Sequence, residues 1–217
     1  DGVAVNLNGT LNVLEAGRKI SGLKRIVVTS SSEIYGSYNG SISEDNLLNP
    51  TSPYGSSKVS ADRAAYSWFI TYGLPVAIIR PFNTYGPRHT YDVIPKFIDM
   101  ALNNKALTVH GTGKQSRDFT YVSDTINGFL LMGIHPKAVG EIVNFGAGTA
   151  TTVDQIAKAV VKLTGSKAGI VYDKARLAEV ARLTCNWNKA KKLFGWKPEV
   201  GLNEGLALNI KWARDNR

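Results

Sequence analysis

Apolar positions along the chain follow two different periods. Near the start, Leu7, Leu11 and Leu14 recur at i, i+4 and i+7 and lay one apolar stripe along a helix. Residues 24–29 are rich in β-branched side chains without polar alternation, which predicts a strand buried on both faces, as in a parallel sheet. The polar stretch 37–52 predicts a loop. Pro53 suits the first position of a helix, with Thr51 or Ser52 as its cap, running to about Tyr72 and stopping at Gly73. Residues 75–79 predict a second buried strand. The order helix, strand, helix, strand over residues 3–80 makes a right-handed parallel crossover.

The second half changes texture. Residues 84–92 resemble a loop, followed by a helix over about 94–102 and short strands at 107–110 and 143–146. Thr152 and Gln155 stand at capping-box spacing before Val153, Ile156, Ala157, Val160 and Val161, the apolar face of a further helix. Asn188 is the expected cap of a short helix that Gly195 ends. Leu202, Leu206, Ile210 and Ala213 mark the last helix. The class is α/β, with two regions, 1–83 and 84–217, interleaved because sheet strands are expected on both sides of 84–120.

Composition narrows the function classes. Of 217 residues, 43% are hydrophobic and 20% charged, the balance of a globular chain. No apolar run approaches the roughly 18 residues of a membrane span, and no leader pattern opens the chain, so a membrane partner is not expected. The single cysteine, Cys185, rules out an intramolecular disulfide and fits a cytoplasmic setting. The net charge of +9 is scattered rather than striped. Lys189, Lys191 and Lys192 fit a solvated helix face, and the aromatics do not interleave with a basic surface, so nucleic acid is not the expected partner. His89, His110 and His135 lack metal-ligand spacing.

The chemistry concentrates in Tyr54-Gly-Ser-Ser-Lys58. Tyr and Lys at i, i+4 share a helix face, and an ammonium beside a phenol favours the phenolate, bringing it from about 10 toward the range of a general base. Alone the spacing is common on surface helices. About twenty residues earlier, however, the first strand ends in Thr29-Ser-Ser-Ser-Glu33-Ile-Tyr-Gly36. Ligands of parallel α/β sheets sit at the carboxyl ends of strands, so these hydroxyls and this carboxylate emerge where Tyr54 can meet them.

These motifs resemble the extended short-chain dehydrogenase/reductase family, in its nucleotide-sugar epimerase/dehydratase branch. The resemblance covers nearly the whole chain. Beside the serine and tyrosine motifs it includes Asn6-Leu-Asn-Gly9-Thr10, Arg80-Pro-Phe-Asn83-Thr-Tyr-Gly-Pro-Arg88, Gly111-Thr-Gly-Lys-Gln-Ser-Arg117-Asp-Phe and residues 186–196. It implies a partial Rossmann-type parallel sheet, with residues 1–83 as the remaining half of a cofactor domain and 84–217 mainly a smaller C-terminal substrate-binding lobe. It implies NAD as cofactor, NADP being left open, a nucleotide-diphosphate sugar as substrate, and a homodimer joined through the first two helices. By the same resemblance Tyr54 is the base, Lys58 its partner and a ligand of the nicotinamide ribose, and Ser31 shares the hydroxyl proton. Ser32 and Glu33 join the catalytic set, and Thr29 and Pro81 line the nicotinamide. Asn83, Arg117 and Arg176 hold the diphosphate, Glu179 the ribose, and Thr108 and His110 border the base. Arg88 is balanced between a substrate role and a plain surface arginine.

One departure is large. The Gly-rich turn that cradles a cofactor pyrophosphate is absent, and the pairs Gly111/Gly113 and Gly146/Gly148 lack its third glycine. Roughly 90–100 residues of a nucleotide-binding half are expected to precede this stretch. The resemblance implies that all branches begin alike, with loss of hydride from C4 to form a 4-keto sugar. A carboxylate at Glu33 suits removal of a further proton and favours a 4,6-dehydratase, whereas Ser32, where some dehydratases have aspartate, keeps a UDP-sugar 4-epimerase open. A decarboxylase and a non-catalytic nucleotide-sugar-binding remnant are the remaining readings.

Overall fold

A computed structural model describes residues 2–175 and 182–216. A π-helical turn at Ala4–Asn8 leads into α1 (Gly9–Gly17), then β1 (Ile26–Thr29), a 3-10 turn at Ser32–Tyr35, α2 (Pro53–Tyr72), β2 (Val76–Pro81) and β3 (Asn83–Tyr85). There follow α3 (Val93–Leu102), β4 (Leu107–His110), β5 (Ser116–Tyr121), α4 (Val122–Ile134), β6 (Ile142–Phe145) and β7 (Ala150–Thr152). The chain continues through α5 (Val153–Thr164), β8 (Ile170–Asp173), α6 (Asn188–Phe194) and α7 (Leu202–Asp215).

The fold is α/β with a parallel sheet ordered β1-β2-β6. Its middle strand is buried on both faces, because successive side chains of β2 point to opposite sides. Val76 and Ile78 pack with Leu14, Val28, Ala65 and Leu74 beneath α1 and α2. Ala77 and Ile79 pack with Met132, Val143, Phe145, Ala190 and Trp196 beneath α4 and α6. Each large side chain so buried contributes about 1.5–3 kcal/mol. The region from β3 onward sends β6 back to this sheet and builds a second core from α3, α5, α7, β4 and β5 around Phe97, Val109, Ile156 and Leu206. There β3 and β5 run parallel, β7 antiparallel to β5, and β4 parallel to β8.

Local signals account for the element ends. Ser52 caps α2, its hydroxyl accepting the Gly55 N–H at 3.0 Å, and Gly73 ends the helix at φ 63°. At α5 the Thr152 hydroxyl accepts the Gln155 N–H at 3.1 Å and the Gln155 side-chain Oε1 accepts the Thr152 N–H at 2.8 Å, a reciprocal cap of about 1 kcal/mol. Asn188, expected as a cap, is instead the first residue of α6. Its N–H donates to the Asn186 side chain at 3.0 Å. The segment 84–92 is not all loop, since its start belongs to β3. β5, α4, β7 and β8 were not anticipated.

Candidate active site

β1 ends at Thr29, and the chain then turns through Ser30, Ser31 and Ser32 into the short helix Ser32–Tyr35. The Ser31 hydroxyl accepts the Glu33 N–H at 3.2 Å, which fixes the start of that turn. α2 begins against it. A Cβ built on Gly55 would lie 2.8 Å from the Glu33 carbonyl oxygen, so the glycine lets the first turn of α2, with Tyr54, approach the serine turn.

A buried ionic network holds the two segments in register. Asp62, two helical turns beyond Tyr54, accepts from Arg80 Nε at 2.8 Å and Nη2 at 3.0 Å, with exposures of 0% and 2%. Arg63 also donates to Asp62. Arg80 Nη1 donates to the Tyr35 hydroxyl at 2.7 Å, and Tyr35 donates to Asn144 Oδ1 at 2.8 Å. The Asn144 N–H donates to Glu44 at 2.7 Å, so a loop carboxylate satisfies a strand group of β6. Thus α2, the serine turn, β2 and β6 share one network. Asp62 lies below the usual carboxylate range: burial pushes it up, but the Arg80 hydrogen bonds and charge outweigh that.

Tyr54 is half-exposed at the site. Burial pushes its phenol above the ordinary value, the Ser31 hydroxyl pulls it back, and the charges of Glu33 and Asp92 add to the rise. The spacing argument predicted the opposite direction, through Lys58. Here the Lys58 ammonium donates to the Thr29 carbonyl at 2.7 Å, and burial lowers its own pKa. Glu33 is pushed up, first by burial and also by Asp92, while Arg117 pulls it down. Arg117 Nε stands 3.9 Å from Glu33 Oε1.

Beside this cluster opens a cleft of about 380 Å³, bordered by β3, β4, β5 and the start of α3. Glu33, Asn83, Thr108, His110 and Arg117 line it together. Thr29, Ser31, Ser32, Tyr54, Lys58 and Pro81 lie outside its lining, at the carboxyl ends of β1 and β2 and the start of α2. Arg88 is exposed at φ 69° and does not line the cleft. Arg176 and Glu179 lie outside the described residues. Sequence reasoning missed His89, Asp92, Lys96 and Gln115 in the lining. The start of an amphipathic helix after a Gly-Pro loop was the available signal for the first three. Asn83 Oδ1 and His89 Nδ1 are buried with no hydrogen-bond partner among the described residues, where buried polar groups ordinarily have one. Next to Arg117, the Asp118 carboxylate accepts the N–H groups of Ala147, Gly148 and Cys185 at 2.6, 2.8 and 2.9 Å, stapling two loops to β5. Among the described residues no group of three His, Cys, Asp or Glu is placed to hold a metal ion, and no helix is long and apolar enough to cross a membrane.

The family model described as GDP-mannose 4,6 dehydratase matches residues 2–208. A UDP-glucuronate 4-epimerase of Thermodesulfobacterium geofontis is 35% identical over 97% of this chain and 65% of its own length. The chain therefore spans about two thirds of that relative. The structure of a dTDP-glucose 4,6-dehydratase of Bacillus anthracis in complex with NAD superposes with a TM-score of 0.93 at 33% identity, covering 99% of this chain and 69% of that one. A UDP-glucuronic acid 4-epimerase of Bacillus cereus in complex with UDP-glucuronic acid and NAD gives 0.93 at 30% identity, with the same coverage.

Proposed function

The chain belongs to the NAD-dependent nucleotide-sugar epimerase/dehydratase family, and from that premise we propose that it is the substrate-side part of an enzyme that passes a nucleotide sugar through a 4-keto intermediate, with 4,6-dehydration as the reaction. The observation that carries the choice is Glu33: a desolvated carboxylate beside Tyr54 whose side chain also borders the cleft. Burial raises the proton affinity of such a carboxylate, which makes its ionised form a stronger general base.

The cofactor in this reading is NAD. Thr29, Tyr54, Lys58 and Pro81 are the residues that would hold its nicotinamide end, and the donor set fits. The Lys58 ammonium has three N–H donors, and its recorded bond to the Thr29 carbonyl leaves capacity for ribose hydroxyls. Bound there, NAD supplies the hydride acceptor and later the donor. The chain's own residues move the protons. Tyr54, helped by Ser31, takes the proton of the sugar 4-hydroxyl as the C4–H bond is oxidised. Glu33 takes the C5 proton, acidified by the neighbouring ketone, and passes it to the departing C6 hydroxyl, which leaves as water. Asn83 and Arg117 hold the diphosphate and Thr108 and His110 border the base, with Arg176 and Glu179 as further contacts. A homodimer through α1 and α2 accords with the exposed Val13, Tyr66 and Ile70 on those helices.

A 4-epimerase is the second reading, favoured by a specific residue: Ser32 offers a hydroxyl where a second carboxylate would assist elimination. Incubation with NAD and dTDP-glucose or UDP-glucose, read by mass spectrometry, separates the two. Dehydration removes one water from the sugar, whereas epimerisation leaves the mass unchanged. An isomer as sole product overturns the dehydratase assignment.

A further inference from the structure

We propose that Tyr35 is a positioning residue of the reaction centre: its buried hydroxyl ties the serine turn to β2 and, through Arg80 and Asp62, to α2, and so holds Ser31 against Tyr54. The inference rests on the reading of Tyr54 as the base of this site, and extends it to a residue outside the cleft lining.

Tyr35 closes the 3-10 turn Ser32–Tyr35, four residues after Ser31. Its ring is 3% exposed and packs with Ile34, Ile42, Phe82 and Leu183. Packing explains the ring but not the hydroxyl, which is costly to bury unless it is bonded. Both of its bonds are short. It accepts from Arg80 Nη1 at 2.7 Å and donates to Asn144 Oδ1 at 2.8 Å. Arg80 lies on β2 and Asn144 on β6. Arg80 also donates from Nε and Nη2 to Asp62 on α2, two helical turns beyond Tyr54. One hydroxyl therefore joins the end of the turn to two strands, and one guanidinium joins it to the helix that carries Tyr54. Burial pushes the Tyr35 phenol up to about 12, so it keeps the proton it donates to Asn144 at neutral pH.

The turn has little support of its own. Its backbone bonds, from the Ile34 N–H to the Ser31 carbonyl and from the Gly36 N–H to the Glu33 carbonyl, are both 3.4 Å, longer than the ordinary range of about 2.7–3.2 Å. The start of the turn is held to β2 by the Ser30 N–H on the Ile79 carbonyl at 2.8 Å. Ser31 thus lies between two anchors, and Tyr35 is the far one. What depends on its placement is Tyr54. The Ser31 hydroxyl pulls that phenol down, whereas burial and the charges of Glu33, Tyr91 and Asp92 push it up. Lys58, on the same helix, is directed to the Thr29 carbonyl. A turn that drifts away from α2 loses the Ser31 contribution and leaves Tyr54 harder to ionise.

The experiment is a carbon-detected titration of the Tyr54 phenol in the chain labelled at tyrosine, assigned with Tyr54→Phe. Ser31→Ala is expected to raise the Tyr54 pKa by about half a unit or more. Tyr35→Phe, which keeps the ring, is expected to raise it in the same direction, and the two changes together no further than Ser31→Ala alone. Should Tyr35→Phe not fold, Asp62→Leu/Arg80→Met, which removes the Arg80 bond without leaving a buried charge, is expected to give the same rise. In the full-length enzyme Tyr35→Phe should lower kcat about tenfold with KM unchanged, and should have no further effect in the Ser31→Ala background. A Tyr54 phenol indifferent to Ser31→Ala or to loss of the Tyr35 anchor overturns the proposal, and so does a Tyr35 effect that adds in full to that of Ser31→Ala, as a general loss of structure would. Turnover that survives Tyr54→Phe overturns the reading of Tyr54 as the base, and the titration then reports on the positioning separately.

Discussion

Removing the Asp62 carboxylate is the perturbation with the largest consequence that the structure allows to be worked out. Asp62→Ala leaves the Arg80 guanidinium at 2% exposure with Nε and Nη2 stripped of their acceptor. A buried charge that loses its partner costs about 3–5 kcal/mol, whereas replacing both members by apolar residues of similar volume is often neutral. Against a total stability of about 5–15 kcal/mol this is a large fraction. With a urea slope of about 2 kcal/mol per M, a loss of about 4 kcal/mol moves the unfolding midpoint down by roughly 2 M. The assay is urea unfolding at pH 7 followed by circular dichroism, on the chain, on Asp62→Ala and on the double variant Asp62→Leu/Arg80→Met. The double variant should recover most of the loss. The sign of the pH dependence is also fixed. The folded pKa of Asp62 is depressed, so its stabilisation is complete above the unfolded carboxylate range near 4 and is lost as pH falls through the folded value. A single variant within about 1 kcal/mol of the parent, or a double variant as unstable as the single, would refute the reasoning.

Three further outcomes follow from particular contacts. Gly55→Val, whose Cβ meets the Glu33 carbonyl oxygen at 2.8 Å, should cost about 1–3 kcal/mol in urea unfolding and raise amide exchange in the serine turn. Asp118→Ala strips three backbone N–H groups of their acceptor and should lower stability by about 3 kcal/mol or more, with exchange rising first at Ala147, Gly148 and Cys185. Tyr54→Phe should lower turnover about 100-fold or more in the full-length enzyme while leaving nucleotide-sugar affinity unchanged, as measured by initial rates and calorimetry.

Much of the sheet half was legible because local signals and tertiary burial agree there. β2 is apolar on both faces and is bounded by Gly73 and Pro75, and α2 carries its own cap and stop. The missed elements are those in which burial does not follow apolarity. β5 includes Ser116, Asp118 and Thr120, all buried; distant backbone groups satisfy Asp118, and no window of sequence contains them. α4 hides its period in another way: Ile126, Leu130 and Ile134 are exposed while Asp124 and Thr125 are buried, and Gly128 sits in its interior against Phe145. At the site, the motif spacing brought Ser31, Tyr54 and Lys58 into view, but an i, i+4 spacing names a shared face and not an acceptor. Only the packed structure directs Lys58 to Thr29. Asp62 and Arg80, eighteen positions apart, carried no sign of their pairing.

The central claim is that the cleft beside Glu33 and Tyr54 receives a nucleotide-diphosphate sugar. Calorimetric titration of the folded chain with UDP-glucose and dTDP-glucose, in parallel with Arg117→Gln, tests it most directly. One site per chain is expected for at least one of these ligands, with affinity falling about tenfold or more when the guanidinium is removed. A folded chain that binds neither, or one whose binding is indifferent to Arg117, would contradict it.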